Sequence, residues 1–231
     1  MLCEDASVHV LPPAPNPVVG IDAGITALVT LSTGEKVENP KFEKQDRERL
    51  TRAQRELARK EKGSKNRDKA RVKVARVHAR IADRRRDHLH KLTTRIVREN
   101  QTVVIEDLAV RNMLGNHRLA RAISDAAWSE LRAQLEYKCA WYGRTLVVVD
   151  RFYPSSKICS ACGYKVAALP SEVQVWTCVA CGAMHDRDDC AHYKRAARNL
   201  EAAGLVVMAC GAGVRPQGKP SVGRLALKQE T

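Results

Sequence analysis

The sequence predicts an α/β fold on a mixed sheet, carrying a basic helical hairpin as an insert and a small cysteine-rich ribbon. Three observations lead there. Short β-branched runs recur at 18–24, 27–31, 102–108 and 145–150, with helical stretches between them. Residues 43–99 hold 21 Lys and Arg against 9 Asp and Glu, which accounts for most of the chain's net charge of +14. Two knuckles, Cys159-x-x-Cys162 and Cys178-x-x-Cys181, stand 15 residues apart.

Each element has its own signature. The first 17 residues contain four prolines and no periodicity, and a disordered leader is expected there. Val18-Val19-Gly20-Ile21-Asp22-Ala23-Gly24 reads as a buried strand ending in a carboxylate and a glycine turn. Residues 27–31 continue in apolar and β-branched types, Ser32-Thr33-Gly34-Glu35 is a turn, and 36–38 complete a meander. Residues 42–62 have helical composition, broken at Gly63-Ser64, and a second helix beginning beside Asn66 runs to about Glu99. Along it Ala70, Val74, Val77, Ile81, Leu89, Leu92 and Ile96 recur at three or four, with the row interrupted near Arg85. The pair forms an antiparallel hairpin (43–99) with one apolar seam. Residues 102–108 give a further buried strand ending in acids, 119–142 one helix, and 145–150 an apolar strand. After the ribbon (155–184), a helix is expected over 188–203 and a flexible tail over 204–231.

The charge of the hairpin points to a polyanion. Solvated helical faces usually mix signs, whereas a surplus of 12 positive charges in 57 residues makes an elongated basic surface that nucleic acid matches most simply. Arg52, Arg55, Arg59, Lys62, Lys65, Arg67, Arg71, Arg84 and Arg85 are the candidate nucleic-acid contacts. No apolar run approaches the roughly 18 residues of a membrane span, and residues 1–17 have neither a basic start nor a long apolar stretch. A soluble, cytoplasmic, nucleoid-associated protein without membrane partners is expected.

Absence of a secretory signal disfavours disulfides, so the four knuckle cysteines read as thiolate ligands. A closed tetrahedral Zn²⁺ site takes four soft ligands, and each C-x-x-C turn aims two sulfurs at one point. With all four positions filled, that zinc is structural. Cys3, Cys139, Cys190 and Cys210 lack paired spacing and read as free thiols.

Acids supply a second centre. The first and fourth strands end in Asp22 and Glu106, and the last predicted helix opens on Asp186-Arg187-Asp188-Asp189. If the two strands are neighbours, these carboxylates converge at one sheet edge, where hard oxygen ligands suit Mg²⁺ and phosphodiester hydrolysis. Asp107 competes with Glu106 as ligand, and Asp186 or Asp189 with Asp188. Singly, a strand-end Asp often caps a turn, and acids at a helix start complement its dipole. Together with the ribbon and the basic hairpin they point to a nuclease. Trp128, Tyr137, Trp141 and Tyr142 fall at helical spacing with Leu131 and Leu135 and are expected in the core. His185 reads as a neighbour of the metal site or as a plain turn residue.

Five separated motifs then fall in the order of a known family. Gly20-Ile21-Asp22, Lys62-Gly63-Ser64-Lys65-Asn66-Arg67, Val104-Ile105-Glu106-Asp107-Leu108, Tyr153-Pro154-Ser155-Ser156-Lys157 and His185-Asp186-Arg187-Asp188 closely resemble the TnpB proteins of bacterial insertion sequences, often labelled transposases and related to type V CRISPR effectors. The resemblance covers about 18–200. It implies an RNase H-like (RuvC) domain over 18–154 and 185–203 that cuts DNA with Mg²⁺, guided by an element-derived RNA. By position Asp22, Glu106 and Asp188 match the catalytic acids, and Cys159, Cys162, Cys178 and Cys181 the zinc ligands. Two departures accompany it. The family usually carries a β-barrel and helical lobe before the nuclease domain, where this sequence has the short leader. After Asp188 the chain runs Asp189-Cys190-Ala191-His192-Tyr193-Lys194 before Ala196-Ala197-Arg198-Asn199, an insertion of about five residues or a replacement relative to the family's pattern, so Asn199 lies 11 residues, about 16 Å along a helix, from Asp188. A catalytically inactive, zinc-containing DNA- or RNA-binding remnant is the alternative expectation.

Overall fold

A computed structural model describes residues 11–150, 157–159, 161–167, 175–186, 199, 201–202 and 205. The element order is β1 (Asn16–Ala23), β2 (Ala27–Leu31), β3 (Lys36–Glu38), α1 (Phe42–Ala58), α2 (Lys65–Glu99), β4 (Asn100–Glu106), α3 (Val110–Met113), α4 (Ala120–Ala126), α5 (Trp128–Tyr142), β5 (Thr145–Val149), β6 (Val175–Thr177) and β7 (Met184–Asp186). The tail apart from Leu205, the helix expected over 188–203 apart from 199 and 201–202, and Asp188 itself lie outside the described residues.

Five strands form one sheet in the order β3-β2-β1-β4-β5. β1, β2 and β3 are the antiparallel meander, while β1, β4 and β5 run parallel. Parallel neighbours need long crossovers, and the helices supply them: α1 and α2 between β1 and β4, α3 to α5 between β4 and β5. α2 and α5 pack on each other and against the sheet, so Val19, Ile21, Val103 and Ile105 meet Leu89, Ile96, Leu131 and Leu135 in one core. Leu89 is 1% exposed, and truncating it to Ala would cost about 2–5 kcal/mol. A buried cation fastens the two helices: Lys138 Nζ donates to the His90 carbonyl (2.8 Å), Thr93 Oγ1 (2.7 Å) and Thr94 Oγ1 (2.8 Å), and burial pulls its pKa down.

The interruption of the apolar row near Arg85 has a structural meaning. α2, about 52 Å long, serves two cores. Its first half joins α1 through Leu50, Val77 and Ile81, with Phe42 and Val74 alongside, and its second half enters the sheet core. Arg84 and Arg85 sit at the changeover. Arg84 donates to Asp46 Oδ2 (3.0 Å) and Gln45 Oε1 (2.6 Å), and Arg85 to Asp125 Oδ1 (2.8 Å). α1 stops at Ala58, short of the expected end at 62, and beyond it the Arg67 guanidinium donates to the Lys60 carbonyl (3.0 Å). α2 opens on Ser64, whose Oγ accepts the Arg67 amide at 3.2 Å as an N-cap.

Two expectations need correcting. The single helix over 119–142 is two, α4 and α5, broken where Ala127 adopts the left-handed region (φ 52). Alanine is the best helix former, so nothing local causes the break. Tertiary demand does. Asp125, 8% exposed, accepts the Glu43 amide with both oxygens (3.1 Å) and binds Arg85, so it caps α1 from a distance where Lys41, itself at φ 52, offers no side-chain cap. The leader, expected to be disordered, is pinned where it is described. Arg144 donates to the Pro12 carbonyl at 2.7 Å and to Gln101, and β1 already starts at Asn16.

Candidate functional site

The strand register brings two of the three predicted acids together. β1 pairs with β4 in parallel through Gly20↔Val104 and Ile21↔Ile105, so Asp22 and Glu106 follow as the next residues of adjacent strands, at one edge. They crowd each other. Burial, then the Glu106 charge, push Asp22 up to about 7, and burial followed by the Asp107 charge raises Glu106. Neither carboxylate has a cationic partner among the described residues.

Asp107, the competing ligand, is engaged elsewhere. Its carboxylate is held by the Arg132 guanidinium, which also binds Glu136 Oε1 at 2.9 Å, and its amide donates to the Val149 carbonyl at 2.9 Å. Arg132 therefore holds Asp107 next to Glu106, and no short-range spacing in the sequence signals that role. Beside Glu106 an apolar cavity of about 210 Å³ opens between the strand ends and α5, lined by Ile21, Ile105, Leu108, Trp128 and Leu131.

The ribbon is built from one turn used twice. In Cys-x-x-Cys-Gly at 159–163 the Gly163 amide donates to the Cys159 carbonyl, and at 178–182 Gly182 donates to Cys178, each at 2.8 Å. Gly163 (φ 75) and Gly182 (φ 72) occupy the left-handed region, with open space where a Cβ would stand, so backbone conformation selects glycine there. The four Sγ atoms lie within 4.8 Å of one another, with Cys159–Cys181 and Cys162–Cys178 both at 3.6 Å. A tetrahedron with metal–sulfur bonds of about 2.3 Å requires sulfurs about 3.8 Å apart, so the cluster is placed to hold a metal ion such as zinc. Burial raises the Cys178 thiol, but the Ala180 and Cys181 amides and the Cys162 and Cys159 thiols pull it down to about 7. Against the Tyr164 amide, the partner thiols push Cys162 up to about 12.

His185 is a neighbour of this cluster: its Nε2 lies 3.1 Å from Cys159 Sγ and its ring packs on Trp176 at 4.4 Å. β7 pairs with β6 through Asp186, so the ribbon continues past the boundary expected at 184. Asn199 Nδ2 donates to the Ile158 carbonyl at 3.0 Å, which ties the chain after the third motif to the ribbon.

The predicted basic residues divide. Arg52, Arg55, Arg59, Lys62, Lys65 and Arg71 are exposed on the hairpin. Arg67, Arg84 and Arg85 are engaged by the helix carbonyls and carboxylates described above, with the Arg85 side chain only 21% exposed. Of the aromatics assigned to the core, Trp128 is buried, whereas Trp141 stands 61% exposed against Tyr137. No helix among the described residues is long and apolar enough to cross a membrane.

Comparison with known proteins agrees with these motifs. The OrfB_IS605 family, described as "Probable transposase", matches residues 3–117, and a Cas12f1-like TNB domain matches 128–194. A Streptomyces pristinaespiralis protein named "Putative RNA-guided DNA endonuclease" is 64% identical over 231 residues, all of this chain and 56% of the relative. The Escherichia coli K12 protein of the same description, InsQ, is 36% identical over 92% of this chain and 54% of its own length. This chain thus spans about half the length of these curated relatives. A cryo-EM structure of a Cas12f1-sgRNA-target DNA complex shares the fold at a TM-score of 0.54, with 16% identity over 83% of this chain and 51% of that one. With both family matches in sequence order and identity running the length of the chain, the protein belongs to the TnpB family of insertion-sequence transposase-related proteins.

Proposed function

We propose that this chain carries the cleavage machinery of a TnpB-type, RNA-guided DNA endonuclease, in an RNase H-like (RuvC) domain with a structural zinc ribbon. Asp22, Glu106 and Asp188 hold catalytic Mg²⁺, and Cys159, Cys162, Cys178 and Cys181 hold Zn²⁺. The observation that carries the reading is the pair Asp22 and Glu106, side by side on parallel strands at one edge, with Asp22 raised to about 7 and uncompensated among the described residues. Such crowding of carboxylates fits a divalent cation, whose charge would bring both back to the ionised form. Bound there, Mg²⁺ supplies charge neutralisation at the phosphate and an acidified water. The chain contributes orientation: the sheet fixes the two oxygen donors, and Arg132 keeps Asp107 out of the cluster.

The exposed cations of the hairpin (Arg52, Arg55, Arg59, Lys62, Lys65 and Arg71) contact the phosphate backbone of DNA or guide RNA, while base pairing reads the sequence. Arg67, Arg84 and Arg85 shape that surface by holding the hairpin together.

The test is cleavage of labelled single- and double-stranded DNA by the purified protein with Mg²⁺, with and without RNA from the element. Asp22→Ala and Glu106→Ala should each lower cutting by roughly three orders of magnitude, about 4 kcal/mol of transition-state stabilisation. One observation favours a second reading, binding without cleavage: Asn199 is spent on the Ile158 carbonyl. DNA binding with no cutting, unchanged by either substitution, would select that reading.

A further inference from the structure

At the edge of the sheet where β1 and β4 end, a cleft of about 570 Å³ has basic walls from two elements. Lys41, Lys44 and Arg47 come from the start of α1, and His117, Arg118 and Arg121 from the turn before α4 and its first residues. Its position follows from the topology. Ile25, on its floor, lies three residues past Asp22, and the second wall belongs to the chain that leaves Glu106. The two acids in the lining are already committed. Asp125 caps the Glu43 amide and binds Arg85, and Glu43 is held by Arg47. Lys41, Lys44, His117 and Arg118 are exposed and have no carboxylate partner among the described residues. The floor is held in shape by Asn39, whose Nδ2 donates to the Ile25 carbonyl (3.0 Å) and whose Oδ1 accepts the Lys41 amide (3.2 Å).

We propose that this cleft binds the sugar-phosphate backbone of the single DNA strand being cut and leads it to Asp22 and Glu106, an inference that rests on the nuclease reading above. Cations on both walls suit a chain of phosphates passing between them, rather than one compact anion. The lining contains no Phe, Tyr or Trp to stack a base, so the contact reads backbone and is indifferent to sequence. The outer face of α1, with Arg52, Arg55 and Arg59, offers cations from one helix only. The two surfaces are therefore separable by mutation.

The experiment uses the full zinc-loaded chain with Lys44→Ala/Arg118→Ala and Lys44→Glu/Arg118→Glu, both exposed positions, checked by thermal melting. Binding of a labelled 20-nucleotide single-stranded DNA, and of RNA of the same sequence, is measured by anisotropy across a salt series without Mg²⁺. The alanine pair should weaken DNA binding about tenfold and lower the log–log salt slope by about 1.4, since each phosphate contact on a single strand contributes about 0.7. The glutamate pair should weaken it further. With Mg²⁺, KM should rise while kcat stays within about twofold. Unchanged DNA affinity and slope would overturn the proposal, as would a loss confined to RNA. If the unaltered protein never cuts, the nuclease reading fails, and the DNA-binding arm alone decides whether the cleft holds a strand.

Discussion

The thiolate cluster and the carboxylate pair are assembled by opposite routes. Each half of the ribbon is a five-residue turn whose backbone hydrogen bonds, left-handed glycine and two sulfurs come in one local package, the second of them at the tip of the β6–β7 hairpin. Asp22 and Glu106 stand 84 positions apart, and only the parallel register of β1 and β4 brings them level. The two centres also differ in what their groups do to each other. Knuckle thiols exchange hydrogen bonds among themselves and with turn amides, whereas burial, then a neighbouring carboxylate charge, raises the pKa of each acid, Glu106 acting on Asp22 and Asp107 on Glu106. The four sulfurs already lie within 4.8 Å of one another, and the two acids are partly buried with no cationic partner among the described residues. A metal at the first is expected to act on folding, and a metal at the second on chemistry.

The largest effect should come from breaking the local site. Structural zinc in small modules binds with about 10–16 kcal/mol of apparent free energy, and that energy is folding energy. Cys178→Ser should drop zinc content from one per chain to none and expose the ribbon amides to hydrogen exchange, while β1 and β4 keep their protection. Loss of protection in the sheet as well would show that the two centres are not independent. A smaller effect should follow from loosening the long-range assembly. Asp125→Ala removes the distant cap of α1 and leaves the Arg85 guanidinium buried and unpaired, so unfolding in urea should lose about 3 kcal/mol. Adding Arg85→Met should restore part of that loss. No restoration would mean that Asp125 acts through the α1 amide alone.

The same contrast explains what the sequence discloses. The ribbon was legible because spacing alone specifies a tight turn, and the meander and strands because period and β-branching are local signals. The convergence of Asp22 and Glu106 was legible only conditionally, since strand order is not written in either strand. The break at Ala127 was not legible at all: alanine's propensity argues for helix, and the cause lies in Asp125 reaching α1 across the fold. Arg84 and Arg85 carry the composition of surface cations, and only the fold shows that the interruption they mark divides two cores. Basic walls of the cleft beside Ile25 were hidden for a related reason. His117, Arg118 and Arg121 belong to a segment of ordinary charge that only the fold places opposite Lys41 and Lys44.

The smallest predicted effect tests the raised pKa of Asp22. Asp22 is held near 7 in the folded protein against an ordinary value of 3.8, so the fold favours its protonated form. Below pH 4 the group is protonated folded or unfolded, and it costs nothing. As pH rises from 4 through 7 the unfolded chain ionises first, and metal-free stability falls until both forms are charged. That displacement corresponds to about 4 kcal/mol at most, and residual solvent contact reduces it to about 1–2 kcal/mol. Asp22→Asn cannot ionise, so without divalent metal at pH 8 it should melt several degrees above the parent, and the gap should narrow toward pH 5. Millimolar Mg²⁺ should raise the melting temperature of the parent and leave that of the variant in place. Equal melting at pH 8 with no response to Mg²⁺ would mean that the Asp22 charge is already compensated, and the carboxylate pair would lose its claim to a cation.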